Sequence, residues 1–275
     1  MTYPTLAPDE SRSVTVSSLR RMKAKGEKIV MLTAYDASFA ARLDAAGVDV
    51  ILVGDSLGMV IQGRESTIPV TVDDMVYHTR AVRAGCKRAL VIADMPFLSY
   101  TSAERALDSA GRLMAEGGAH MVKLEGGREI VAVVQALANA GIAVCAHLGL
   151  RPQSVNKLGG YSFQAKDDQG AQALMSDAEH LVAAGADIIV LECVPAALAR
   201  ALTGVVEVPV IGIGAGQDCD GQVLVLYDML GITPGRRPSF SHDFLAEHGS
   251  IEAALAGYVD AVRSARFPDP AHTLV

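Results

Sequence analysis

Tryptophan is absent from this 275-residue chain, and aromatic residues make up only 5% of it. A core without large rings must come from alanine and the branched aliphatics, which fits a composition that is 50% hydrophobic. Cysteine is scarce. Cys86, Cys145, Cys193 and Cys219 show neither a CxxC pair nor the Cys/His spacing of a zinc site, which argues against a disulfide framework or a thiolate metal centre. Cys145 and Cys193 fall in or beside apolar runs and read as small core residues in a reducing compartment. No apolar run approaches the roughly 18 residues of a membrane span. The first ten residues are polar, carry two prolines and lack the apolar region of a signal peptide. There is no run of Lys or Arg, and the net charge is −7, so neither nucleic acid nor a membrane is an expected partner. A cytoplasmic location is expected. The acidic balance leaves an anionic small substrate open, because a local metal or lysine can reverse the field.

What the chain does have is a repeated device. Val50-Ile51-Leu52-Val53 runs into Gly54-Asp55-Ser56, and Leu90-Val91-Ile92-Ala93 into Asp94. Met121-Val122-Lys123-Leu124 runs into Glu125, Ile142 to Ala146 into His147, and Ile188 to Leu191 into Glu192. Buried parallel strands read as near-continuous apolar runs, with active groups at their carboxyl ends. A closed parallel sheet would gather all five polar residues on one face.

Glycine punctuates the same pattern. Gly47, Gly118, Gly141 and Gly185 each close a predicted helix one or two residues before a strand, where a short loop requires the left-handed conformation. Strands are predicted near 29–33, 49–53, 90–93, 121–124, 142–146, 187–191 and 208–213, with a weaker eighth between Gly221 and Tyr227. This alternation predicts a (β/α)8 TIM barrel over residues 1–275 as a single domain, with an open doubly wound sheet as the alternative. A barrel needs about 250 residues, which the chain supplies. Val14 to Gly26 reads as an amphipathic helix capping the barrel's bottom. Residues 1–12 and 266–275 read as flexible tails. Two long loops, Ile61 to Val70 and Arg151 to Gln169, follow Asp55 and His147 on the functional face and suit lids or substrate walls.

Asp55, Asp94 and Glu125 form an oxygen-only set suited to Mg²⁺, without which their mutual repulsion would raise at least one pKa. Lys123 lies two residues before Glu125 and so shares its face; it either pairs with an acid or binds a substrate carboxylate. Glu192 stands among apolar residues and suits a general base, with a helix N-cap as the alternative. His147 is a candidate donor to an oxyanion, or a partner for a backbone carbonyl. Gly212, Gly214 and Gly216 alternate after the seventh strand but do not form the dinucleotide fingerprint. Together these groups suit metal-assisted proton abstraction next to a carbonyl.

Over Val14 to Arg263 the chain resembles the ketopantoate hydroxymethyltransferase family. The resemblance lies in Met31-Leu-Thr-Ala-Tyr-Asp36, Val53-Gly-Asp-Ser-Leu-Gly-Met59, Ala93-Asp-Met-Pro-Phe97, Val122-Lys-Leu-Glu-Gly126, Ala146-His-Leu-Gly-Leu150 and Ile211-Gly-Ile-Gly-Ala-Gly216. It implies a Mg²⁺-dependent barrel that makes 2-dehydropantoate from 3-methyl-2-oxobutanoate and 5,10-methylenetetrahydrofolate, the first step towards pantothenate. Asp55 and Asp94 would hold the metal, with Glu125 contributing directly or through water. Asp55, Ser56, Asp94, Lys123 and His147 would contact the oxo acid, and Glu192 would accept its proton. A homo-oligomer, commonly a decamer, is implied as well. The rival readings are a Mg²⁺-dependent lyase or mutase of the phosphoenolpyruvate mutase/isocitrate lyase kind and a non-catalytic ligand-binding barrel.

Overall fold

Eight parallel strands close on themselves in a computed structural model that describes residues 13–235 and 237–273. They are β1 (Ile29–Thr33), β2 (Val50–Val53), β3 (Leu90–Asp94), β4 (Met121–Glu125), β5 (Val144–Gly149), β6 (Ile188–Glu192), β7 (Val210–Ile213) and β8 (Gly221–Leu224). Each pairs with the next, and β8 returns to β1 through Ile29↔Gly221 and Leu32↔Leu224. The weak eighth strand is therefore real. Its signal is faint because it is only four residues long and begins with glycine.

Alternation along each strand divides the apolar residues into two cores. Val30, Ile51, Val91, Val122 and Ile189 face the helices outside the barrel. Met31, Leu52, Ile92, Met121, Cys145 and Val190 fill its interior. Each such side chain removed from water contributes roughly 1.5–3 kcal/mol, and the branched aliphatics fill the space that missing aromatics leave. Following the inward parity one step further reaches Asp94, Lys123, Glu125, His147 and Glu192. The polar residues are thus the top layer of the interior, one step above its apolar filling.

Helix α1 (Val16–Lys25) starts with a capping box between Thr15 and Ser18 and stops at Gly26. Its Leu19 is fully buried and joins the interior core, with Val16 and Met22 beside it. Lys23 Nζ donates to Asp220 Oδ2 at 2.7 Å and to the Thr203 carbonyl at 2.9 Å. The helix therefore seals the end of the barrel opposite the polar layer, as expected. The outer ring is α2 (Ala37–Ala46), α3 (Val72–Gly85), α4 (Ala103–Ala115), α5 (Val131–Asn139), α6 (Asp168–Ala183) and α7 (Ala196–Val205), one after each of β1 to β6, and α8 (Ile251–Arg263) after β8. Between β7 and β8 there are only turns, so the helix-then-strand repeat lapses there. Gly214 stands at the start of that turn. Its φ is +61°, and a Cβ on it would lie 3.0 Å from the Phe240 ring.

The N-terminal tail expectation lies outside the described residues. At the other end, Phe267 is buried with its ring 5.6 Å from Phe244 and 5.9 Å from Tyr258, and Pro270–His272 forms a 3-10 turn. Residues 266–273 therefore include a hydrophobic anchor, which their terminal position and two prolines do not betray. No helix among the described residues is long and apolar enough to cross a membrane.

Candidate active site

Parallel register brings the polar residues side by side on neighbouring strands. Asp94 on β3 pairs with Lys123 on β4, Glu125 with His147 on β5, and Gly149 with Glu192 on β6. Asp55 follows β2 by two residues, in the turn before a single helical turn at Leu57–Val60. All of them, with Ser56, line one cavity of about 1030 Å³ at the barrel mouth. The two long loops complete its wall, through Gly63 to Glu65 and Tyr161 to Phe163, and Tyr161 Oη reaches Met59 Sδ across the opening.

The charges are arranged in a chain of contacts. Lys123 Nζ donates to Asp94 Oδ1 at 2.6 Å, with both side chains about 95% buried. Burial works against the ammonium, but Asp94, Glu125 and Asp55 outweigh it and hold its proton in place. Asp94 Oδ2 accepts the Asp55 backbone N–H at 2.9 Å, which fixes the turn after β2 to β3. Burial, then repulsion from Asp94 and Glu125, pushes the Asp55 carboxyl well above the usual range. Burial also raises Glu125, against the pull of Lys123.

His147 stands between two acids. Its Nε2 lies 3.1 Å from Glu192 Oε2 and its Nδ1 3.4 Å from Glu125 Oε1, neither aligned as a hydrogen bond. Burial, then the Lys123 charge, lowers its pKa, against the pull of Glu192 and Asp94. Glu192 is therefore not isolated among apolar groups, as its sequence neighbours suggest; an imidazole from the next strand faces it. Nor is Glu192 an N-cap, since Pro195 holds that position before α7. Its backbone is tightly constrained. Gly149 has φ +88°, and a Cβ there would lie 2.1 Å from the Glu192 carbonyl oxygen. Cys193, the next residue, holds φ at 49°, a left-handed conformation that costs a non-glycine residue roughly 1–3 kcal/mol. Backbone strain of this kind concentrates at functional positions.

Three further residues at or behind the cavity have no strand periodicity to reveal them, although Tyr35 falls within the Met31–Asp36 motif. Gln153, in the 3-10 turn Pro152–Ser154, is 95% buried. Its Nε2 donates to Asp55 Oδ2 at 2.8 Å and to the Met95 carbonyl at 3.0 Å. Its backbone N–H donates to Glu125 Oε2 at 3.0 Å, and its Oε1 accepts from Tyr100 Oη at 2.6 Å. Tyr35 Oη lies 2.9 Å from Ser56 Oγ and orients it. The third, Asp228, lines the same cavity. An amide in a loop has no periodicity to betray it, whereas its buried, multiply bonded position does. Replacing Gln153 by alanine should strand these partners and cost about 1–3 kcal/mol, with Gln153→Glu costing more because it adds a further buried acid. Urea midpoints of the two variants against the parent chain check this.

Among the described residues, no three Asp, Glu, His or Cys side chains converge closely enough to hold a metal by themselves. Asp94 Oδ1 faces Lys123 and Glu125 Oε2 faces Gln153. The set still fits a hard cation that keeps its waters, because Mg²⁺ typically takes only one or two protein carboxylates. The raised proton affinity of Asp55 marks a site where positive charge is in short supply.

Comparison with known proteins gives the family and the fold the chain is similar to. The family model described as "Ketopantoate hydroxymethyltransferase" matches residues 13–270. A 3-methyl-2-oxobutanoate hydroxymethyltransferase of Alkalilimnicola ehrlichii is 61% identical over 97% of this chain and 96% of its own. One of Halorhodospira halophila is 58% identical over 94% of each. Among solved structures, the phosphoenolpyruvate phosphomutase of Streptomyces platensis subsp. rosaceus shares the fold at a TM-score of 0.59 and 16% identity, covering 78% of this chain and 82% of its own. A phosphonopyruvate hydrolase complexed with oxalate and Mg²⁺ shares it at 0.59 and 15% identity, covering 76% and 80%.

Proposed function

The chain belongs to the ketopantoate hydroxymethyltransferase family, and from that premise we propose that it transfers a hydroxymethyl group from 5,10-methylenetetrahydrofolate to 3-methyl-2-oxobutanoate. The product is 2-dehydropantoate, an early intermediate on the route to pantothenate. The observation that carries this reading is the convergence of Asp55, Asp94, Lys123, Glu125, His147 and Glu192 on one cavity.

Lys123 and Ser56 bind the carboxylate of the oxo acid, the ammonium keeping its remaining donors for the substrate while one serves Asp94. Asp55 and Asp94 would hold Mg²⁺, with Glu125 reached through water because Gln153 already occupies one of its oxygens. Bound there, the ion would supply positive charge next to the keto oxygen as negative charge builds on it. Glu192 takes the proton from C3, its side chain opening to the cavity at 13% exposure. His147 keeps Glu192 Oε2 to one side and leaves Oε1 to meet that proton. Water takes the one-carbon unit off the folate, breaking its two C–N bonds to give tetrahydrofolate and formaldehyde; the C3 carbanion adds to the formaldehyde carbon, and the new alkoxide takes up the proton that Glu192 holds. The scarce, unpaired cysteines favour the cytoplasm as its location, and the family resemblance favours a homo-oligomer, commonly a decamer.

The test is direct. The oxo acid, 5,10-methylenetetrahydrofolate and Mg²⁺ should give 2-dehydropantoate, detected by mass, and removal of Mg²⁺ by a chelator should stop its formation. A lyase or mutase, or a silent ligand-binding barrel, would form none, and that result would overturn the reading.

A further inference from the structure

A five-carbon acid fills only a fraction of this cavity. Its volume, about 1030 Å³, lies at the top of the roughly 300–1,000 Å³ that holds drug-sized ligands. The groups assigned so far sit on the arc from β2 to β6. The wall on the side of β8 and the segment after it, from Val223 to Phe240, is unused. It is largely apolar and includes Ile213, Val223, Val225 and Phe240, whose ring is seated against Gly214 at the end of β7.

One acid interrupts that wall. Asp228 lies in the single helical turn Leu226–Met229 and is only 7% exposed. Its Oδ1 accepts from Thr233 Oγ1 at 2.6 Å, and its Oδ2 has no partner among the described residues. Burial raises its proton affinity, opposed by Thr233 and by the Arg237 charge. With Oδ1 braced by Thr233 and Oδ2 left to accept, an acid lining this side of the cavity is matched to a ligand that presents donors.

We propose that Asp228, braced by Thr233 on a wall that also holds Phe240, receives the donor edge of the reduced pterin ring of the folate co-substrate. That edge places the 2-amino group and the N3–H side by side, a pair of donors that complements one carboxylate in the bidentate manner. The pterin ring would rest on the apolar wall and point its one-carbon unit toward the β2 to β6 arc. This assignment rests on the reading that methylenetetrahydrofolate is the donor, and its test separates the two.

The full-length chain with Mg²⁺ is assayed in two ways, as the parent and as Asp228→Asn. Exchange of the C3 proton of 3-methyl-2-oxobutanoate with deuterium is followed without folate, and KM for 5,10-methylenetetrahydrofolate is taken from product formation. The exchange should persist in Asp228→Asn, because that step involves no pterin, while KM rises roughly 10- to 100-fold. A 2-desamino-2-methyl analogue of the cofactor should lose a similar factor against the parent and little against the variant, as a double-mutant cycle requires of a direct contact. An unchanged KM in Asp228→Asn, or a parent that binds both pterins equally, overturns the assignment. Should the variant fail to fold, the analogue measured on the unaltered chain decides alone. If the parent neither exchanges the proton nor forms product, it is the proposed activity that fails.

Discussion

Replacing Glu192 by glutamine should reduce exchange of the C3 proton of 3-methyl-2-oxobutanoate by roughly 10²- to 10⁴-fold, the range a positioned general base contributes. The substitution is nearly isosteric. It retains an oxygen 3.1 Å from His147 Nε2 and removes only the ability to take up a proton. Folding should change little, because the side chain is at the cavity edge and the backbone around it is set by Gly149 and Cys193. KM for the oxo acid should move by a small factor, since the groups proposed to bind it lie on other strands. Exchange at the parent rate would remove Glu192 from the mechanism and direct attention to His147, the nearest other proton acceptor.

The second large effect concerns stability. Among the described residues Lys123 is the one cation that Asp55, Asp94 and Glu125 share, and it lies 2.6 Å from Asp94 with both side chains almost fully buried. Removing one partner of such a pair leaves an uncompensated buried charge, worth about 3–5 kcal/mol. Lys123→Met keeps the length of the side chain and most of its packing, so the loss it causes isolates the charge. In chelator, its urea midpoint should fall by that energy divided by the slope, with the slope itself unchanged. A second substitution, Asp94→Asn, should recover part of the loss, because it removes the acid left closest to the vacated ammonium. Should Lys123→Met unfold at the parent midpoint, the three acids do not depend on the lysine and the electrostatic account of the site is wrong.

Much of this site is legible in the amino-acid sequence, for a physical reason. Strand parity is strict, so the sequence positions that alternate with Ile92, Met121, Cys145 and Val190 must share the barrel interior with them. The acids and the histidine fall on that parity, and Asp55 on the turn just beyond it. Gln153, Tyr35 and Asp228 are not legible in this way. Their roles come from loops and side-chain reach, which closing the barrel decides and which leave no period in the chain. The alternating glycines after β7 carry a signal that points to the wrong kind of cause. Gly212 leaves room for Cys219 and Gly214 for Phe240, so close packing accounts for them. The quiet stretch between β7 and β8 also hides the missing outer helix.

The order of strands around the barrel has a consequence for how such a protein can change. Groups that would generate the nucleophile occupy one unbroken arc, β2 to β6, tied together by register and by Lys123, His147 and Gln153. Strands β7, β8 and β1 close the circle without contributing to that arc's charges. On the function proposed above, substitution along the closing strands and the segment after β8 would retune which electrophile is admitted while leaving intact the half proposed to abstract the proton. Ancestry by partner replacement, with one half inherited and the other redrawn, is the evolutionary route this geometry leaves open.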